Sequence, residues 1–459
     1  MSSSNVLGVV LIARHGDRQG FYQDPITYDA SNTAITPLGE LQEQQLGQYV
    51  GSVYLNSSSP SYFGLSTVFD SDTFSAQADF ADEGFVIIDS ANALLQGLFP
   101  PNATANTIAL ANGSSVTGPF QGYQYVPVDS IGINDVSLEG FTDCNTQNTR
   151  TSAFYNSTAF QQKANESAAF LSQLPPFLDG RPVTLVNMWN IYDFMNVQSI
   201  HNATFAKNLP PTFLAQARDL ANWHEWNVFS DSTLGGIGNI AGTAMLPSVL
   251  SAMQDIANSS NPLKFSYTAI SYKPFLSLFN MTGVNADGQV PPAIVNYAAA
   301  LALEVRQPSG GGEPFIRFQF KNGTDDDVFK TYNMQLPSMS SPGDVPLSTF
   351  LSTFEPVAIN TTLEWCLTCN QTTLRGCGAL LNASSAAASA PAPTHHDRIS
   401  PVGAGFLGAG LTFAVYSMLL AALVLLGLLN FGKRGSRTAS RHGLNSEDNS
   451  INHDKRPSS

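Results

Sequence analysis

Arg14, His15, Gly16, Asp17 and Arg18 follow one another directly at the end of an apolar run. Two arginines bracket one histidine, and a glycine lets the backbone come close. A guanidinium presents a planar fork that matches phosphate oxygens. A neutral imidazole attacks phosphorus, and neighbouring cations offset the charge that builds up. The pattern predicts phosphoryl transfer, with His15 as nucleophile and Arg14 and Arg18 as phosphate ligands. An Arg-His-Gly triplet alone is a weak signal, so its weight depends on the elements around it.

Those elements are readable. Residues 5–13 are nearly continuous Val, Leu and Ile, the pattern of a strand buried on both faces. The motif therefore falls at the carboxyl end of a first strand, where open α/β sheets bind ligands. Thr36-Pro37-Leu38-Gly39-Glu40 then reads as a helix start, with Thr36 at the N-cap and Pro37 in the first turn. Residues 87–98 have helical spacing and stop at Pro100-Pro101. Residues 265–270 read as a strand followed by a helix. Residues 298–306 and 314–320 read as strands paired across Gly310-Gly311-Gly312.

With the motif so placed, the sequence resembles the histidine acid phosphatase family, a branch of the phosphoglycerate-mutase-like histidine phosphatases. The likeness spans most of residues 6–356. It is carried by Leu11 to Arg18, by Ile35 to Gln42, and by Ser90-Ala91-Asn92 leading to Gly97-Leu98-Phe99-Pro100-Pro101. Tyr267-Thr268-Ala269 and Pro291-Pro292 extend it. The resemblance implies an α/β sandwich whose central, mostly parallel sheet is flanked by helices, with an inserted helical cap. It implies phosphomonoester hydrolysis through a phosphohistidine on His15, with Arg14 and Arg18 on the phosphate and no cofactor or metal.

The departures from that family are specific. Its motif continues with a proline where this chain has Gly20. Its distal arginine precedes the Ser-Ala helix, and an ungapped match puts Val86 there. Its His-Asp pair, which supplies the proton donor, is matched by Ile270 and Ser271. Tyr272 and Lys273 follow, and neither is an obvious acid at low pH. Asp79, Asp82 and Glu83 stand where a cation is expected and would oppose a phosphate. The expectation is weak hydrolysis, with Asp82, Glu83 or Tyr272 as substitute acids in the competing case. The alternative is an inactive relative that binds a phosphorylated small molecule or a protein partner of unknown kind in the old pocket.

Composition bounds the setting. The 459 residues carry a net charge of -14, which repels phosphate backbones and argues against nucleic acid. Only 12% of residues are charged, against about 25% in ordinary domains, the texture of a secreted or cell-surface protein. Residues 401–431 hold no charge, and the run from 408 to 429 is almost wholly apolar. A helix of about 20 apolar residues spans a bilayer. Lys433, Arg434, Arg437 and Arg441 follow, so the positive-inside rule puts the C-terminus in the cytoplasm.

Residues 1–400 are then extracellular or lumenal. Asn-x-Ser/Thr sequons agree, at Asn56, Asn102, Asn112, Asn156, Asn165, Asn202, Asn258, Asn280, Asn322, Asn360, Asn370 and Asn382. Residues 6–13 lack the basic flank of a leader, so a leader upstream of Met1 is expected; the alternative is insertion through the C-terminal helix alone, with residues 1–400 cytosolic and the sequons idle. Cys144, Cys366, Cys369 and Cys377 all precede the span and read as structural disulfides rather than as a zinc or redox site, with connectivity open.

The predicted organisation is an α/β core in two parts, 1–104 and 256–356, with a mostly helical cap at 105–255. A cysteine-bearing extension (357–378), an Ala/Ser/Pro stalk (379–400), a transmembrane segment (401–431) and a basic tail (432–459) follow. His201 and His224 read as structural, His395, His396, His442 and His453 as solvated, and Arg150 as unrelated to the pocket.

Overall fold

The apolar run at the N-terminus builds the centre of the sheet. β1 (Ser4–Arg14) is buried along nearly its whole length. The computed structural model describes residues 4–81 and 83–389. In chain order the remaining strands are β2 (Phe74–Asp79), the hairpin β3 (Thr107–Ala109) and β4 (Ser115–Thr117), β5 (Asp129–Ile131), β6 (Phe265–Ile270), β7 (Ala300–Pro308), β8 (Phe315–Lys321), β9 (Lys330–Tyr332) and β10 (Val345–Pro346). The main sheet has the order β10-β8-β7-β1-β6-β2-β5, with β9 on β8; β3 and β4 pair separately.

The sheet is mixed, which corrects the expectation of a mostly parallel one. β1, β6, β2 and β5 run parallel. β7, however, lies antiparallel on β1, and β8 returns on β7 as a hairpin. The hairpin residues are legible in the sequence, but its docking on β1 is a long-range choice that local pattern does not encode. Residues Ala300 to Val305 are buried without alternation, so they look the same in either direction.

Parallel neighbours require crossovers, and helices supply them. α1 (Pro37–Tyr54) begins at the Thr36 N-cap, whose hydroxyl accepts from the Gly39 amide. α2 (Val86–Leu98) packs on α1 so closely that a Cβ at Gly47 would stand 2.0 Å from the Leu94 carbonyl oxygen. The two helices and one face of the sheet share a core that includes Leu46, Val50, Ile87, Leu94 and Phe265. On the other face, Ile12 and Val10 of β1 share a core with the helix Ile240–Ala257 and the helix Lys273–Thr282. Between β5 and β6 the chain is mostly helical, including Met188–His201 and Phe213–Val228.

The compact body extends past residue 356. Trp365 is fully buried, and its indole donates to the Gly140 carbonyl at 2.7 Å. Disulfides join Cys144 to Cys369 and Cys366 to Cys377. The first part of the expected stalk is helical, within the helix Cys377–Ser389. Among the described residues no helix is long and apolar enough to cross a membrane. Residues 390–400, the apolar stretch 401–431 and the tail 432–459 lie outside the described residues.

Candidate active site

The motif sits at the carboxyl ends of the parallel strands. Arg14 is the last residue of β1 and pairs in register with Ile270 of β6. The loop that follows is held against the start of α1 by two glycines. A Cβ on Gly16 would meet the Gly39 carbonyl oxygen at 2.4 Å, and one on Gly39 would meet the Asp17 carbonyl oxygen at 2.0 Å. Only glycine at both positions allows the loop to lie on the helix. This is the physical reason for the Thr-x-x-Gly sequence downstream of the motif.

Asp17 fastens the loop from a second side. Its carboxylate accepts from the Thr36 hydroxyl and sits 2.7 Å from His201 Nε2, on the helix Met188–His201. His201, which reads as structural in the sequence, reaches the motif across 184 positions.

His15, Arg18 and Glu83 are fully buried. His15 Nδ1 lies 2.8 Å from the Gly16 carbonyl oxygen. A carbonyl only accepts, so this nitrogen carries the proton and Nε2 is the atom available for chemistry. Glu83 Oε2 stands 3.2 Å in front of Nε2. The same oxygen accepts from Arg18 Nε at 2.6 Å. Arg18 also forks onto Asp193, from one terminal nitrogen to Oδ1 at 3.0 Å and from the other to Oδ2 at 3.3 Å. Arg14 donates to the Val295 carbonyl and lies over the Tyr297 ring, 4.7 Å from its centroid. Its Nε is buried without a partner among the described residues. Tyr297 is followed by Ala298 in the left-handed region at φ 54°, an uncommon conformation for a residue with a side chain.

Burial alone would raise the Glu83 carboxyl, but Arg18 and His15 outweigh it and hold the group well below the usual carboxylate range. Burial lowers the His15 imidazole, opposed by Glu83. Burial raises Asp193, opposed by Arg18.

A polar cleft of about 200 Å³ opens beside the motif, lined by Arg14, Trp189, Asp193, Arg218 and Tyr297 among others. Arg14 and Asp193 face it, while His15, Arg18 and Glu83 are not among its lining residues.

The expected replacements fall in two places. Ile270 and Ser271 are buried at the end of β6, beside the motif, where the His15 amide donates to the Ile270 carbonyl oxygen at 3.2 Å. Val86 is buried in the first turn of α2, and the side chain of this segment that reaches His15 is Glu83, three residues earlier. Asp82 lies outside the described residues. The buried Asp79 accepts from the Ala81 amide.

Tyr272 does not stand free as an acid. It stacks on Trp189 at an interplanar angle of 14°, and its hydroxyl donates to Glu225 at 2.7 Å. Glu225 also receives the Tyr28 hydroxyl and contacts His224 Nδ1, so His224 belongs to this internal network. Lys273 is buried with its ammonium over Phe141. Arg150 donates to the carbonyls of Asn227, Val228 and Ser230, away from the motif. Asp193 and Tyr297 carry no local sequence signal; only the fold brings them to Arg18 and Arg14.

A strand-end histidine with two arginines, on a sheet flanked by helices, defines a histidine-phosphatase-type α/β fold. No family model matches the chain. It is similar to prostatic acid phosphatase of Bos taurus, 23% identical over 389 residues, covering 82% of this chain and 90% of that protein. It is also similar to lysosomal acid phosphatase of Homo sapiens, 24% identical over 368 residues, covering 76% and 77%. Among solved structures, the phytase of Hafnia alvei in complex with tartrate matches with a TM-score of 0.55 at 13% identity, over 80% of this chain and 99% of that one. The Klebsiella sp ASR1 phytase matches with a TM-score of 0.53 at 13% identity, over 78% and 98%. The chain is thus similar to prostatic and lysosomal acid phosphatases and shares the fold of the phytases.

Proposed function

We propose that this chain is a phosphomonoester hydrolase of the acid phosphatase type, working through a phosphohistidine on His15, with weak turnover. The observation that carries the reading is the pairing of Arg14 with Ile270. It sets Ile270 and Ser271 beside the nucleophile, and neither side chain is a strong proton donor for a leaving group. Loss of a general acid costs about 10²–10⁴ in rate. Loss of an electrostatic clamp on the transferring group costs about 10²–10³ more, although such terms do not simply add.

The test is a steady-state assay of generic phosphomonoesters from acid to neutral pH, beside His15→Ala. The expected result is hydrolysis near background, with any residue of it lost in the variant. Robust His15-dependent turnover would overturn the reading. A second reading, an inactive relative that binds a ligand in the old pocket, is favoured by the unpartnered Nε of Arg14 at the cleft.

The setting we propose is a single-pass membrane glycoprotein, with residues 1–400 extracellular or lumenal and the tail cytoplasmic. The charge-free segment 401–431, its basic flank and the sequons support this. Glycosidase digestion of the natively expressed protein tests it, and an unchanged gel mobility would count against it.

A further inference from the structure

One contact in the motif occupies atoms that a working phosphatase would reserve for substrate. Glu83 Oε2 lies in front of His15 Nε2 and on Arg18 Nε at the same time. A carboxylate and a phosphate present oxygens to a guanidinium in the same way. In either protonation state of His15, the position that an incoming phosphorus would take is filled by this oxygen.

The two carboxylates also meet on one guanidinium, Glu83 at its Nε and Asp193 at its terminal nitrogens. Every nitrogen of Arg18 is engaged: Nε by Glu83, and the terminal pair by Asp193, with one of them also on the Gln19 carbonyl. No surplus remains on Arg18 for a dianion. The two carboxylates are not equivalent. Asp193 lines the cleft, whereas Glu83 is sealed behind it against the histidine.

We propose that Glu83 is the resident anion of the phosphate subsite, an internal carboxylate that takes the place of an oxyanion on His15 and Arg18 and makes the site reject dianionic phosphate. This rests on the phosphatase reading above and adds to it the residue that sets anion selectivity. The segment that delivers the side chain is short. It connects the end of β2 to α2, and Gly84 in the left-handed region at φ 65° follows Glu83. Gly84 also bridges to Thr33 in the loop ahead of α1. This contact holds the connection near the motif.

The experiment is titration of inorganic phosphate into the full-length protein, read by calorimetry and by thermal shift. The variants are Glu83→Gln, which removes the charge at constant size, Glu83→Ala, which also opens space, and Asp193→Asn. A like charge at contact distance costs several kcal/mol, so both Glu83 variants are expected to bind phosphate about 10²-fold more tightly than wild type. Asp193→Asn is expected to gain less than either, because Glu83 still covers Nε2. Equal affinity in wild type and both Glu83 variants overturns the proposal, as does a gain in Asp193→Asn that matches theirs. If both Glu83 variants fold poorly, rescue of their melting temperature by phosphate supports the proposal and absence of rescue overturns it.

Hydrolysis separates this inference from the reading beneath it. Phosphate binding gained at Glu83 together with fast turnover would overturn only the argument from the missing acid. Weak His15-dependent turnover in wild type, with no binding gained at Glu83, would overturn only the inference about Glu83.

Discussion

Arg14 and Ile270 are register partners across the parallel pair β1–β6, and the next amide, that of His15, donates to the Ile270 carbonyl oxygen at 3.2 Å. Backbone hydrogen bonds therefore fix which residues flank the nucleophile. The hydrocarbon of Ile270 and the hydroxyl of Ser271 are set there by the sheet itself, not by a mobile loop. Of the substitute acids that the sequence offers, Tyr272 donates to Glu225, while Glu83 is held on Arg18 and faces His15 itself.

Glu43 carries a prediction about pH. It sits on α1, fully buried, and neither carboxyl oxygen has a hydrogen-bond partner among the described residues. Burial pushes its carboxyl well above the usual range. The folded state then keeps a proton that the unfolded chain releases near pH about 4.3. Stability is fully present below that point and falls as pH rises towards the raised value of Glu43. Glu43→Gln is expected to remove this slope and to raise the melting temperature at neutral pH more than in acid. Parallel pH profiles for wild type and variant would contradict the assignment.

The disulfides carry a second. Cys144–Cys369 closes a separation of 225 residues and Cys366–Cys377 one of 11. The chain-entropy cost of an open loop grows with its length, from about 3 kcal/mol for 15 residues to about 4.7 for 100. Replacing Cys144 and Cys369 by Ala should destabilise the protein more than replacing Cys366 and Cys377, by denaturant melts. Alkylation of mature protein without reductant should label no thiol.

A third concerns the sequons. The Asn280 side chain is half-buried on the helix Lys273–Thr282, and its amide donates to the Asp231 carbonyl at 2.7 Å and to Asn239 Oδ1 at 3.1 Å. A glycan on that nitrogen would replace one of its two hydrogens, so at least one of these bonds would be lost. Asn112 and Asn382, in contrast, are exposed. Glycopeptide mapping should find Asn280 unmodified in folded protein while exposed sequons are occupied. A fully occupied Asn280 would refute this.

Much of the fold is legible because short-range pattern encodes it. The continuous apolar run marks β1, Thr36-Pro37 marks the start of α1, and Gly310-Gly311-Gly312 marks the β7–β8 turn. What is not legible depends on distance in sequence. The antiparallel docking of β7 on β1, the Asp17–His201 contact and the fork of Arg18 on Asp193 join residues far apart in the chain, and neither member of any pair carries a local mark of its partner. Glu83 is an intermediate case. A charged residue in this stretch is visible as an opponent of phosphate, but its contact with His15 and Arg18 is not written in either flank.

The paired disulfides also define a load path. Tension applied to the chain beyond Ser389 travels down the helix Cys377–Ser389 and enters the body at Cys377. There it crosses to Cys366 and divides. One branch follows the backbone towards Trp365, and the other runs through Cys369 to Cys144 at the start of the helix Asn145–Tyr155. Covalent links thus carry a pull from the C-terminal side into the helical segment before the hydrogen bonds of the sheet bear it.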